Sequence, residues 1–257
     1  MANLQIVDSN MKKYIISLVF FTCILSAKSQ VQFITQGRVE YEKKMNQHTP
    51  LEDEADNIWN VERMKVIPKF VTDIYELKFN ASRSIYKLAK ENPTNRYMMW
   101  GGKPSETDIL VTDILNATFS SQKDIFENTY LIKDSVRNLE WKISEETREI
   151  AGFECRKAVT KICDSVYVVA FYTDQIPVNG GPESFNGLPG LILGLAIPRL
   201  YTTWFATKLE LIEPTVVQLN PKQKGKIVNR AQLITELEKG LKDWGKDGVR
   251  RIWNANL

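Results

Sequence analysis

Three features of the sequence predict a mainly β protein. Apolar and polar residues alternate with period two through much of it, at least eight β-rich segments follow one another with no repeated helix between them, and helical periodicity takes over only near the C-terminus. Together they predict a curved antiparallel sheet, as a meander or half-barrel, with a C-terminal amphipathic helix and one short helix near the N-terminus. At 257 residues the chain is long enough to bury a substantial core. With 43% hydrophobic and 25% charged residues it has the composition of a globular protein rather than a disordered one.

The chain opens with a leader. Met11-Lys12-Lys13 is basic, Tyr14 to Leu25 is an apolar run, and Ala27 and Ser29 are small residues at the minus three and minus one positions before Gln30. That is the pattern of a cleaved signal peptide over residues 1–29, with residues 1–10 a mis-called start upstream of Met11. The apolar run falls short of the about 20 residues that a membrane span needs, so no integral span is expected after cleavage. Cys23 follows Phe21-Thr22, where a lipoprotein signal wants small residues, and reads as part of the apolar run. A periplasmic or secreted location follows, with residues 30–257 as a single domain. The formal charge of +3 changes little on cleavage, because the leader carries Lys12, Lys13 and Lys28 against Asp8. Such a balance gives no electrostatic reason to expect nucleic acid or an anionic membrane as partner.

Phe33, Thr35, Gly37, Val39 and Tyr41 share one face of a predicted strand whose other face is polar. Leu51 to Lys65 carries Ile58, Val61 and Met64 or Lys65 at helical spacing and should end before Pro68. Alternation returns over Phe70 to Phe79, with Ile74 on one side and Tyr75, Leu77 and Phe79 on the other. Asn80-Ala81-Ser82 is a turn, and Ser84 to Leu88 the returning strand. Asn92 to Ser105 reads as a loop whose Tyr97, Met98, Met99 and Trp100 either fold back on the core or face a ligand. Short β-rich pieces follow at Ile109 to Ile114, Asn116 to Ser121, Ile125 to Ile132 and Leu139 to Ile143. Thr147 to Ile162 and Ser165 to Thr173 then form a hairpin about Cys163-Asp164, and Tyr201 to Ile212 is a further strand. Cys155 and Cys163 are not expected to pair, since eight residues of strand span about 26 Å against about 7 Å for the largest bridgeable Cα separation. The basic run Lys222 to Lys226 reads as a solvated loop. Asn229 with Gln232 has the form of a capping box, and Leu233, Ile234, Leu237, Leu241 and Trp244 recur on one helical face until Gly245 and Gly248 stop the helix.

The most constrained stretch is Gly180 to Leu195, which packs five of the 13 glycines and two of the 10 prolines into one loop and strand. Within it Leu188-Pro189-Gly190-Leu191 reads as a type II turn with Gly190 at positive φ, and Leu191-Ile192-Leu193 as the start of a buried strand. Apart from Glu183, Ser184 and Asn186 the stretch has few polar side chains. A structural role is therefore expected for Gly181, Pro182, Phe185, Gly187, Leu188, Pro189, Gly190, Leu191 and Ile192, with Glu183 an exposed loop carboxylate.

Common catalytic patterns are missing. The single His48 cannot make a histidine-rich metal site or supply a triad, and the sequence has no His-Glu-x-x-His, Cys-x-x-Cys, phosphate loop or Gly-x-Ser-x-Gly. No catalytic residue, metal or cofactor is assigned. Paired carboxylates remain open as an acid and base for glycoside hydrolysis, without a pair being singled out.

Several segments resemble one family. Pro68-Lys69-Phe70, Tyr75-Glu76-Leu77-Lys78-Phe79-Asn80 and Ser84-Ile85-Tyr86 lead to Ile150-Ala151-Gly152-Phe153-Glu154-Cys155-Arg156-Lys157-Ala158. Phe171-Tyr172-Thr173 and Ile176-Pro177 come next, then Gly181-Pro182, Phe185 and the hexapeptide Gly187-Leu188-Pro189-Gly190-Leu191-Ile192. In this order they resemble the GLPGLI family of secreted proteins of Bacteroidota, with one departure where Leu193-Gly194-Leu195 lacks an acidic residue. The resemblance implies an exported, mainly antiparallel β protein akin to the half-barrels of periplasmic lipoprotein carriers. Two functions stay open. One is a non-enzymatic protein holding an apolar or peptide ligand, or another envelope protein, on its sheet; the other is a hydrolase or an accessory domain of a secreted glycan-acting enzyme.

Overall fold

The computed structural model describes residues 33–53, 57–97, 103–163 and 165–257. The leader, Met98, Met99, Trp100 and Asp164 lie outside these. Among the described residues twelve strands form one open sheet: β1 (Gly37–Asn46), β2 (Phe70–Phe79), β3 (Arg83–Lys90), β4 (Ile109–Asp113), β5 (Thr118–Ile125), β6 (Asn128–Ser135), β7 (Lys142–Ile150), β8 (Phe153–Ile162), β9 (Val166–Thr173), β10 (Leu191–Ile197), β11 (Thr202–Glu210) and β12 (Lys226–Val228). Their order is β12-β6-β5-β4-β3-β2-β1-β11-β10-β9-β8-β7. Two antiparallel meanders, β1 to β6 and β7 to β11, are thus sewn together where β11 pairs with β1. The sheet does not close into a barrel. Near its β7 edge it curls, because Ile150 reaches the space beside Gly194 of β10 and Phe205 of β11.

Alternation in the sequence becomes burial in the fold. Val39 and Tyr41 on β1, Tyr75, Leu77 and Phe79 on β2, and Tyr86 on β3 are all buried in one core cluster. The turn between β2 and β3 is fixed by Asn80, whose Oδ1 accepts from the Ser82 and Arg83 backbone N–H groups at 2.9 and 2.8 Å. β10 is interior, and Leu191, Ile192 and Leu193 are buried in succession because a bulge between Ile192 and Gly194 shifts its register against β9. The same bulge leaves the Ile192 carbonyl free to accept from Tyr41 Oη at 2.7 Å, a buried bond between the loop-borne strand and β1.

Among the described residues there are also five α-helices: α1 (Thr49–Glu52), α2 (Ile58–Val66), α3 (Val216–Leu219), α4 (Arg230–Leu241) and α5 (Gly245–Ala255). The capping box at Asn229 and Gln232 is present, and Leu233, Leu237 and Leu241 of α4 join the core. On the opposite face of the sheet, Leu219 of α3 packs with Ile85 and Val111.

Some expectations change. Thr147 to Ile162 is two strands, because Ala151 and Gly152 both take positive φ and turn the chain. Gly245 and Gly248 do not end the helical region; Gly245, at φ +52°, redirects the chain into α5. The helix after β1 does not bury Ile58 or Val61, which stay exposed while Asn60 is covered. Part of the basic run is ordered against the sheet: Gln223 Nε2 donates to Ile109 and Ser120 carbonyls, and Lys226 begins β12, the one parallel partner, beside β6. Cys155 is buried with its thiol pushed up to about 12 by burial, Cys163 is exposed, and both are free.

The turn at Pro189-Gly190 is not type II, since Gly190 does not take positive φ; that conformation belongs to Gly187, at φ +92°. Gly190 is needed for a different reason. A Cβ there would lie 2.0 Å from the Thr173 carbonyl oxygen at the end of β9. Gly190→Ala is therefore expected to destabilise the fold by about 1 to 3 kcal/mol, the range for overpacking. Pro189, which is exposed, should cost only about 0.4 to 1 kcal/mol as Pro189→Ala. Urea unfolding of both variants checks this, and an unchanged midpoint for Gly190→Ala would contradict the close approach.

Candidate functional site

The register of the β1 to β6 meander dictates which side chains meet. Lys43 on β1 stands opposite Asp73 of β2 on one side and Trp204 of β11 on the other. Tyr86 of β3 pairs with Leu110 of β4, and Leu110 with Ser121 of β5. Opposed residues share a face, and Lys123, two residues beyond Ser121, shares it too. On that face the meander stands apart from α4 and α5, leaving a hollow of about 480 Å³, within the usual range for small-molecule sites. Its walls include Tyr75, Tyr86, Leu110 and Lys123 from the sheet, Leu237 and Leu241 from α4, and Arg250 and Arg251 from α5.

Glu183 projects into this hollow from the glycine-rich loop. The expected exposed carboxylate is instead paired with Lys43, Nζ to Oε1 3.0 Å, with only 12% of its side chain exposed. The loop is shaped to place it. Gly181 lies so close to β10 that a Cβ would be 2.7 Å from Ile192 Cβ, and the Ile192 N–H donates to the Gly180 carbonyl at 2.9 Å. Phe185 and Leu188 anchor the far side in the core, and Trp141 Nε1 donates to the Asn186 carbonyl at 2.8 Å. Glu183 itself takes φ +55°, a conformation that costs a non-glycine residue about 1 kcal/mol or more. The ion pair with Lys43 fixes the direction of its carboxylate.

Charges of both signs converge here. Lys43 Nζ sits over the rings of Tyr75 and Trp204, 5.1 and 5.0 Å from their centroids, and keeps 28% side-chain exposure because it lines the hollow. Burial alone would raise the Glu183 carboxyl; Lys43 and then Lys123 outweigh it and hold the group below its ordinary value. Trp204 Nε1 is near enough to favour that carboxylate, yet makes no hydrogen bond of full geometry. Asp108, which immediately precedes β4, is raised to about 6, chiefly by burial, while its Oδ1 accepts the Asp124 N–H at 2.8 Å. Asp73 is buried and satisfied: its Oδ1 accepts from Asn95 Nδ2 and the Asn92 N–H, and its Oδ2 from the Tyr97 hydroxyl. Tyr97 also lines the hollow.

Of the motif residues, Gly181, Pro182, Phe185, Gly187, Leu188, Pro189, Gly190, Leu191 and Ile192 build the bracket that carries Glu183, and none of them lines the hollow. Lys43, Asp108 and Lys123 were not singled out from the sequence, and Tyr86 only within the segment Ser84-Ile85-Tyr86. A signal for the first existed: Val39, Tyr41 and Lys43 occupy one face of β1, so a lysine continues a buried stripe. Among the described residues no group of three His, Cys, Asp or Glu side chains could hold a metal, and no helix is long and apolar enough to cross a membrane.

Two outcomes follow from these charges. Glu183→Gln leaves the Lys43 ammonium without its carboxylate and should destabilise the fold by about 3 kcal/mol or more, whereas Glu183→Gln with Lys43→Met should recover most of the loss. Chemical unfolding of the three variants checks it; equal losses in the single and double variants would exclude the coupling. For Asp108 the folded pKa lies above the ordinary carboxylate value, so its protonated form favours folding and that contribution is lost as pH rises through about 6. Asp108→Asn should therefore raise the thermal midpoint at pH 7.5, with the difference from the unaltered chain vanishing below about pH 4. A pH-independent difference would contradict the raised pKa.

Known proteins resemble the chain only in part. A family model described as a protein of unknown function (Porph_ging) matches residues 160–194, which takes in most of the glycine-rich stretch. The GLPGLI resemblance is not confirmed by it. No curated protein matches the sequence. Among solved structures, PNGF-II in a P21 crystal form has a TM-score of 0.51 at 17% identity, covering 79% of this chain and 33% of that one. Its C2 form gives 0.50 at 17% identity, covering 77% and 32%. An uncharacterized conserved protein from Thermus thermophilus gives a TM-score of 0.39 at 6% identity, covering 77% and 92%, too low a likeness to support any argument. The chain thus spans about a third of PNGF-II and is similar to it in fold.

Proposed function

We propose that the chain is an exported periplasmic or secreted binding protein, without catalytic activity of its own, that holds a small ligand in the hollow between its β1 to β6 meander and helices α4 and α5. The observation that carries this reading is that two buried hydroxyls in the wall of the hollow make no hydrogen bond of full geometry. Ser121 Oγ is buried without a hydrogen bond, Tyr86 Oη is buried with only the Trp204 indole near it, and both residues belong to the wall. A buried hydroxyl without a partner costs about 1 to 3 kcal/mol, a cost that a ligand recovers on binding. Between an apolar ligand and a peptide, the peptide suits these walls better, because rings and leucines alternate with charges of both signs. The leader at residues 1–29 supports export.

One observation favours a second reading, a hydrolase or an accessory domain of a secreted glycan-acting enzyme. Asp108 and Glu183 line the same hollow, and their environments push their proton affinities in opposite directions, as an acid and a base require. Against it, Glu183 is committed to Lys43.

Purification of the chain from its native envelope under non-denaturing conditions, followed by extraction and mass spectrometry, separates the two. A peptide retained near one per chain is the expected result. An empty chain that cleaves a glycan substrate, with cleavage lost in Asp108→Asn, would replace the binding reading with the hydrolytic one.

A further inference from the structure

The Tyr86 and Ser121 hydroxyls in the wall of the hollow make no hydrogen bond of full geometry and can donate. Tyr86 and Ser121 flank Leu110 on successive strands, so their hydroxyls share a face, and Lys123 extends from the same face two residues beyond Ser121. Lys123 Nζ donates to the Ala255 carbonyl at the end of α5 at 3.3 Å, and Glu183 and Asp108 act on it from within the wall without forming one of the ion pairs found among the described residues. An ammonium has three donors, so two are left for another partner. Arg137, whose Nη1 is also buried without a partner, adds a second cation nearby.

Each acidic side chain of the wall has a partner, Asp247 among them in an ion pair with Arg250 at 3.1 Å. Glu183 holds Lys43, and Asp124 accepts the hydroxyls of Thr129 at 2.6 Å, Ser105 at 3.0 Å and Thr107. Asp73 is taken by Tyr97 and Asn95, and Asp108 accepts the Asp124 N–H. The Tyr86 and Ser121 hydroxyls and the Lys123 ammonium leave donors open beside one another, and an added acceptor is what they can bind. A carboxylate supplies about four lone-pair sites on two oxygens, matching one ammonium and two hydroxyl donors. A dianion such as a phosphate monoester is opposed by Asp108 and Glu183 in the same wall, whereas a single negative charge is opposed least.

Resting on the binding reading above, we infer that the ligand is recognised through a free carboxylate, such as a peptide C-terminus, that lies against Lys123 with the hydroxyls of Tyr86 and Ser121 donating to it. The ligand's body then lies toward Tyr75, Leu237 and Leu241, the less polar part of the hollow.

The test uses the full chain and two randomised tripeptide libraries, one with free C-termini and one amidated, with retained peptides counted by mass spectrometry after rapid gel filtration. Free acids should be retained about ten-fold or more over amides, as expected when a charge-assisted contact is removed. Tyr86→Phe and Ser121→Ala, which delete a hydroxyl and keep the charge, should each lower that ratio several-fold; Lys123→Met, once its unfolding midpoint is shown to be kept, should bring it near one. Equal retention of acids and amides by the unaltered chain would overturn carboxylate recognition and leave the binding reading standing. Retention of neither library would overturn both.

Discussion

The contact between Lys43 and Glu183 is the constraint around which the rest of the molecule is arranged. Lys43 sits on β1, the strand that joins the two meanders, and Glu183 hangs from the loop that enters β10. Holding the two 3.0 Å apart requires the loop to lie flat on β10, which requires Gly181 beside Ile192, Gly190 beside the Thr173 carbonyl, and the buried Phe185 and Leu188 as anchors. The rings of Tyr75 and Trp204 then cover the ammonium from either side. A charge pair taken out of water rarely adds net stability over an apolar pair of the same size, so the expense of this bracket is not explained by stability alone.

Stability is supplied elsewhere. Val166, Val168 and Ala170 of β9, with Leu191 to Leu193, Leu195 and Ile197 of β10, are fully buried and carry no charge. They form a dry core under one meander, while the other keeps an open hollow with ionisable groups in its wall. Tyr41 links the two halves: it is buried on β1 and donates to the Ile192 carbonyl that the β10 bulge sets free. The core thus fixes the position of β10 and, through the loop, of Glu183.

Much of the sheet was legible in the sequence because period two is a local signal. The alternation through Tyr75, Leu77 and Phe79 named the buried face of β2, and the Asn229 and Gln232 pair named the start of α4. Turns that hinge on a single residue were less so. Ala151 turns the chain at positive φ although its type does not announce it, so β7 and β8 read as one strand. Gly190 was recognised as indispensable for the wrong reason, since a sequence shows that a side chain is absent but not which carbonyl fills its place. The site itself was largely hidden. Lys43, Asp108, Lys123 and Glu183 come from four separate segments, and only long-range register and the fold of the loop bring them together. Glu183 looked exposed because polar neighbours in a glycine-rich loop usually are; its burial depends on a partner 140 residues away. The inward lysine at the end of the Val39 and Tyr41 stripe was the one local clue.

A protein can keep unpaired donors buried only if something offsets them. In the hollow, Tyr86 stacks flat on Tyr75, ring centroids 5.2 Å apart, so its ring is fully used while its hydroxyl is not. Ser121, between β4 and β6, is 2% exposed and its hydroxyl makes no hydrogen bond. Replacing these two with Phe and Ala would remove the unmet donors at little cost in packing, so stability gives no reason to keep them. Their presence beside Lys123, in the wall of a hollow of about 480 Å³, makes that wall locally less stable than it could be, while the core that holds it in place carries no such groups.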